Sequence, residues 1–329
     1  ATTHNHSSGG SATVYDISSS LRLSGAFDGH PDSNADGYLE ASASNSLFGG
    51  GFDMNADGTF IAVGSSYKGT VDIFRYIDSM GWIQYGSQLS APGTVYGDPY
   101  KGGNFGSTVS ISDDGQRVAV GSPNTAKVHI YEYISGGGGW NEMATHTGIS
   151  GISGNGLSGK EVVLSGDGNT VAIGTVENLS PNSDKRGNVA IYRYGYRHTN
   201  LWHTGYLGDP ITLSSAGITD NFGGFNSIDL STDGNRVIIG AKNVDNDKGA
   251  VQVYDFDSST GWTEVGSTIY GDNAYDYAHT TAISGNGNII AIGASGHDKN
   301  AIRDMQIGQV KVYEINTVQP TVQNEVATD

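Results

Sequence analysis

The sequence predicts an all-β protein built from five copies of one unit, and three observations carry that prediction. The first is self-similarity: NADGTFIAVGSS, SDDGQRVAVGSP, SGDGNTVAIGTV, STDGNRVIIGAK and SGNGNIIAIGAS align on one pattern. Their turn residues Asp57, Asp114, Asp167, Asp233 and Asn286 are spaced by 57, 53, 66 and 53 residues, and each precedes a glycine. The second is period. Apolar and polar residues alternate after each turn, as in strands, and no segment sustains the 3.6-residue period of a helix. The third is composition: glycine fills 50 of 329 positions and proline only 7, which suits tight turns and excludes collagen or a proline-rich linker. Four short antiparallel strands per ~55-residue unit, five times over, is the arithmetic of a five-bladed β-propeller.

In chain order, residues 1–11 (ATTHNHSSGGS) read as a polar tail. Thr13–Gly25 then reads as a displaced outer strand, with Tyr15 at the position that tryptophan holds elsewhere and Leu21–Gly25 mirroring Ser267–Gly271. The fifth copy has no such strand after QVKVYEI, so the N-terminal strand is expected to close the ring, which limits exposed sheet edge. Within each copy a first strand (STVSIS, KEVVLS, NSIDLS or TTAIS in the clearer cases) enters a D-G or N-G turn, whose two residues tolerate φ > 0. The second strand ends on Gly64, Gly121, Gly174, Gly240 or Gly293, small where strands converge. The third reads TVDIFRY, KVHIYEY, NVAIYRY, AVQVYDF or QVKVYEI. A fourth starts at Trp82, Trp140, Trp202 or Trp262. These tryptophans suit either sugar-stacking platforms or a packing aromatic needed once per blade, and repetition favours packing. Residues 12–316 are therefore expected to form one five-bladed domain, followed by a tail, 317–329 (TVQPTVQNEVATD).

Thirty-four acidic residues against 17 basic ones give a net charge of −17, which repels phosphate backbones and anionic lipid and argues against nucleic-acid partners. No apolar run approaches the ~18 residues of a membrane-spanning helix, so no membrane insertion is expected. With no cysteine, disulfides, zinc–thiolate sites and cysteine nucleophiles are all excluded.

The order F-G, strand, D-x-N-x-D-G, V-A-V-G and G-x-V-x-V-Y resembles the FG-GAP repeats of integrin-α-like propellers. It stands here as Phe48-Gly49, Asp53-Met54-Asn55-Ala56-Asp57-Gly58, Ala62-Val63-Gly64 and Gly69-Thr70-Val71-Asp72-Ile73. The F-G pair recurs at Phe105-Gly106 and Phe222-Gly223, while Ser158-Gly159 and Tyr277-Ala278 replace it elsewhere, and the resemblance runs from about residue 12 to 316. It implies an extracellular or cell-surface module for binding, adhesion or structure, without catalytic activity, whose partner is a protein or a glycan. It also implies that the D-x-D/N-x-D-G loop can hold calcium with a ninth-position acid. Ile61 stands at that ninth position, so Asp53–Gly58 reads instead as a side-chain-capped turn.

A better calcium pattern is Asp32-Ser33-Asn34-Ala35-Asp36-Gly37-Tyr38-Leu39-Glu40, with Asp32, Asn34, Asp36 and Glu40 as ligands, and a solvated acidic loop as the alternative. Asn243–Gly249 (NVDNDKG) reads as a polar hairpin loop, with calcium binding as the alternative. Asp276-Tyr277-Ala278-His279 breaks the F-G-x-S/T pattern in the fifth copy, with Asp272 nearby, and an Asp276–His279 pair could serve as acid and base. Two function classes therefore stand beside the binding module: a carbohydrate-binding propeller lectin, and a propeller enzyme acting on polysaccharide or a small molecule near Asp276 and His279. Val318 and Val322 give the C-terminal tail apolar character, so homomeric or multi-protein assembly through the two tails is a further expectation.

Overall fold

The computed structural model describes residues 48–91, 103–147, 157–176, 187–195, 202, 206–212, 222–224, 226–298 and 307–315, with the backbone of four short strands nearer the N-terminus. Those four are β1 (Ser11–Thr13), β2 (Tyr15–Asp16), β3 (Arg22–Leu23) and β4 (Tyr38–Glu40), and they pair as β1 with β4 and β2 with β3. Asp32, Asn34 and Asp36 of the expected calcium loop lie outside the described residues, and for Glu40 only the backbone pairing with Ser11 is described.

The chain divides into two compact units, residues 1–145 and 146–329. Among the described residues, besides those two short pairs, the first unit holds two larger sheets. One is β5 (Phe48–Met54), β6 (Phe60–Ser65), β7 (Thr70–Ile77) and β8 (Gly81–Gln84), with β9 (Leu89–Ser90) also on β7. The other is β10 (Thr108–Ile111), β11 (Arg117–Ser122), β12 (Lys127–Ile134) and β13 (Gly139–Thr147), whose end reaches the unit boundary. The second unit holds three. They are β14 (Leu157–Leu164), β15 (Thr170–Val176) and β16 (Gly187–Arg193); β17 (Ile228–Leu230), β18 (Arg236–Ala241), β19 (Ala250–Asp257) and β20 (Gly261–Tyr270); and β21 (Ala278–Ile283), β22 (Ile289–Ala294) and β23 (Gln309–Glu314). Within these five larger sheets the strands pair in chain order, apart from β9 on β7, so each sheet is a meander, called a blade below. Beyond β16, the described residues of the third blade add the bridges Val189–Ile211 and Tyr194–Trp202.

The second strand of a blade is its most buried element. Ile61, Ala62 and Val63, and likewise Val237, Ile238 and Ile239, are at most 1% exposed, which means that both faces are covered. The two faces feed different cores: Val237 and Ile239 pack toward the third blade with Val189, Leu207 and Phe222, whereas Ile238 packs toward the fifth with Ile290 and Ile292. The V-A-V-G glycine marks the closest blade-to-blade approach. A Cβ on Gly64 would lie 1.9 Å from the Gly106 carbonyl oxygen, and one on Gly174 would lie 1.9 Å from that of Gly223. The F-G pair thus supplies a fully buried phenylalanine and a carbonyl that only glycine admits.

The D-G turns are built alike. In the fourth blade the Ser231 hydroxyl donates to Asp233 Oδ1 at 2.7 Å, the same oxygen accepts from Asn235 N at 3.0 Å, and Gly234 has φ 64°. Ser112–Asp114, Ser165–Asp167 and Ser284–Asn286 repeat the arrangement. In the first copy Asn55 takes the serine's place, its Oδ1 accepting from Phe60 N at 2.8 Å. Asp53 faces away from this turn. Its Oδ2 accepts from Ile111 N at 2.9 Å and from the Ser110 hydroxyl at 3.0 Å, tying the first blade to the second. Asp229 does the same for Ile283 N at 2.8 Å in the fourth and fifth.

The last sheet differs. Along β22 and β23 buried or half-buried positions alternate with more exposed ones, and Ile289, Val310 and Val312 face solvent. Among the described residues β23 pairs with β22 alone and no sheet closes the array.

Candidate functional site

In an antiparallel meander successive links alternate between the two ends of the sheet. The stereotyped D-G turns occupy one end. The opposite end gathers the link from second to third strand and the link from each blade to the next. At that end three links of the fourth and fifth blades meet: residues 242–249, residues 271–277 and, of the link 295–308, the described residues 295–298 and 307–308. The last is far longer than its counterparts in the first two blades, residues 66–69 and 123–126.

The links are laced by backbone hydrogen bonds. Tyr275 N donates to Asn246 O at 3.1 Å, Tyr277 N to Asp247 O at 2.9 Å and Ala278 N to Lys248 O at 2.8 Å. To make this ladder Asp245, Asn246, Asp247, Tyr275 and Tyr277 all take left-handed φ, between 49° and 71°. Such conformations cost roughly 1 kcal/mol or more each for non-glycine residues and concentrate where function requires them. Gly296 packs so closely on the ladder that a Cβ there would lie 2.0 Å from the Tyr275 carbonyl oxygen.

Within this frame Asp276 is 1% exposed. Its Oδ2 accepts from Asn273 N at 2.9 Å and faces His297 Nδ1 at 3.1 Å. Asp272, half exposed, pairs with the Lys311 ammonium at 2.6 Å. Ligand atoms of Asp272, Asp276 and His297 all lie within 4.8 Å of one another, so these three side chains could share one metal ion. Asp298, next in the chain to His297, is buried with its Oδ1 unpartnered.

The two residues singled out in the sequence thus part company. Asp276 is at the centre of the cluster, but the imidazole beside it belongs to His297. His279 turns its Nδ1 to the Tyr277 carbonyl at 2.6 Å, and burial holds its pKa below the usual imidazole range, with nearby Lys242 acting the same way. His297 and Asp298 were missed; the signal that marks them is the long link of the fifth copy. Asn243–Gly249 is the loop that frames the site, and Lys242 lies 4.9 Å over the Tyr277 ring.

Trp140 and Trp262 pack between blades, whereas Trp82 packs on Phe48, Ile61 and Val63 of its own sheet. Trp82, Trp140 and Trp202 are buried, and Trp262 is half-buried. Trp140 Nε1 donates to Tyr85 O at 2.8 Å and Trp262 Nε1 to Leu207 O at 2.6 Å, in each case reaching the preceding blade.

No protein family matches the sequence, and no curated protein does. Among solved structures, a protein from Lactobacillus plantarum aligns over 99% of this chain and 81% of its own, with TM-score 0.58 and 12% identity. A functionally unknown protein from Desulfotomaculum acetoxidans aligns over 87% and 70%, with TM-score 0.51 and 12% identity. A Bacteroides uniformis protein provisionally named a 6-phosphogluconolactonase aligns over 98% and 83%, with TM-score 0.52 and 14% identity. At such identities the likeness speaks to fold alone, and with the blade-by-blade sheets it establishes a generic β-propeller.

Proposed function

We propose that this chain is a ligand-binding β-propeller without catalytic activity, and that it takes a divalent metal ion, or a ligand carrying one, at Asp272, Asp276 and His297. One observation carries the reading: a carboxylate–imidazole set with its donor atoms within 4.8 Å, at the place where the repeat pattern breaks. Two carboxylates with an imidazole suit zinc or manganese better than calcium, which prefers oxygen alone. The ion would displace the Lys311 ammonium from Asp272, and Asp298 supplies a further carboxylate next to His297.

Thermal unfolding with zinc, manganese or calcium tests this. A bound ion at about a hundred times its Kd adds about 2.7 kcal/mol to stability. Zinc or manganese should raise Tm in the native chain, and Asp276→Asn or His297→Gln should abolish the rise. No metal-dependent rise at millimolar concentration sinks the proposal.

A different observation favours a second reading. His297 Nδ1 faces the buried Asp276 carboxylate, an arrangement that orients an imidazole for proton transfer through its other nitrogen. On that reading the propeller is an enzyme, and a hydrolase and lyase screen with His297→Gln as the control separates the two.

The finer fold reading is proposed with it: five blades, FG-GAP-type repeats and a ring closed by Thr13–Gly25. Exposed Ile289, Val310 and Val312 on the last sheet support closure, since a closing neighbour would cover them. Calcium at Asp32, Asn34, Asp36 and Glu40, an extracellular or cell-surface location, a protein or glycan partner, and assembly through residues 1–11 and 317–329 belong to the same proposal.

A further inference from the structure

A second place in the fold has the chemistry of a binding site, and it is separate from the Asp276 cluster. Between the third and fourth blades lies an open groove of about 660 Å³, lined among others by Trp262, Tyr254, Phe256, Asp209, Ser259 and Thr260. Its aromatic wall is held rigid. Trp262 is anchored by its Nε1 bond to Leu207 O, with the Phe256 ring 5.2 Å away at 55°. Its polar rim is ordered as well, because the Asp257 carboxylate accepts from the backbone N–H of Ser259 at 2.8 Å and of Thr260 at 3.2 Å.

Comparison with another seam of the same protein explains the opening. Between the first and second blades the tryptophan of the repeat, Trp140, donates to Tyr85 O, and the Tyr85 ring fills the seam, 4.1 Å from Tyr133 and 6.2 Å from Trp140. Leu207 holds the equivalent position between the third and fourth blades. A leucine fills less of the seam than a tyrosine ring does.

The second independent observation is Tyr254. It lines the groove, is 4% exposed, and its hydroxyl has no hydrogen-bond partner. A buried hydroxyl without a partner costs about 1–3 kcal/mol, so natural sequences rarely leave one where phenylalanine would serve.

We propose that this groove binds a neutral sugar ring, with Trp262 as the stacking face, the Tyr254 hydroxyl bonding a sugar hydroxyl, and Asp209 with the Ser259–Thr260 turn completing the polar contacts. An aromatic face beside polar groups of both kinds is what a pyranose requires, since it presents C–H groups on one face and hydroxyls around its rim. Asp209 at the rim and the strongly acidic chain disfavour acidic sugars.

The test titrates the full chain, by calorimetry and saturation-transfer NMR, with glucose, mannose, galactose, N-acetylglucosamine and their short oligomers. At least one should bind. Tyr254→Phe removes one oxygen and nothing else, and should weaken that sugar about five- to tenfold while leaving Tm unchanged or higher. Trp262→Ala should weaken it more than tenfold. If Trp262→Ala fails to fold, Tyr254→Phe carries the decision alone. Failure of every sugar to bind at millimolar concentration overturns the proposal, and so does equal affinity in the native and Tyr254→Phe chains.

Discussion

Acid should unfold this protein partly through one histidine. His146, the first residue of the second unit, is 6% exposed and stacks on Tyr192 with ring centroids 4.0 Å apart. Its Nε2 has no hydrogen-bond partner, and burial pushes its pKa from 6.5 down to about 4. The unfolded chain therefore takes up a proton near pH 6.5 that the folded chain refuses until about pH 4. The stability this neutral ring contributes is fully present above pH 6.5 and is lost as the pH falls toward 4. At about 1.4 kcal/mol per pH unit, the loss across that window is about 3 kcal/mol, a large share of an ordinary domain's stability. His146→Phe keeps an aromatic ring against Tyr192 and removes the titration. Urea unfolding of both chains at pH 7, 5.5 and 4 isolates the effect from the carboxylates, which both share. The variant should lose about 3 kcal/mol less than the native chain between pH 7 and 4. Equal losses would refute the reasoning, as would an NMR titration placing the His146 pKa near 6.5.

Three further outcomes follow from the blade seams. Gly64→Ala should cost at least about 1–3 kcal/mol in chemical unfolding, because its Cβ would meet the Gly106 carbonyl oxygen at 1.9 Å and backbone must move. Burial holds the Asp53 carboxyl above the usual carboxylate range despite its bonds to Ile111 and Ser110, so its ionisation weakens the fold as pH rises through that raised pKa. Asp53→Asn, which keeps an acceptor for Ile111 N, should match or exceed native stability at pH 7, whereas Asp53→Ala should cost about 1–3 kcal/mol. Deleting residues 1–25 should lower stability by several kcal/mol if that segment closes the ring; a truncated chain that melts like the full one removes the closure proposal.

Local chemistry is what a sequence displays well. The D-G turns were legible because the serine–aspartate cap spans only a few residues, and it recurs at Asp114, Asp167 and Asp233. The V-A-V-G glycines were legible as points of convergence for the same reason, although what they converge on, the F-G carbonyl of the next blade, is a contact between separate copies. Repetition likewise marked the tryptophans as packing residues, and their indole bonds to the preceding blade bear that out for Trp140 and Trp262.

Contacts that jump between copies were decided only by tertiary structure. Asp53 sits in a calcium-like string, yet its carboxylate belongs to the neighbouring blade, because alternate residues of a strand point to opposite faces and this face meets Ser110 and Ile111. Asp276 is three residues from His279 and 21 from His297, and the nearer histidine is the natural partner to read from a string of letters. Two links with left-handed turns, 242–249 and 271–277, fold onto one end of two blades, where His279 faces a backbone carbonyl and His297 the buried carboxylate. Sequence distance ranks partners by chain connectivity, whereas the site is ordered by which loops share an end of the sheet.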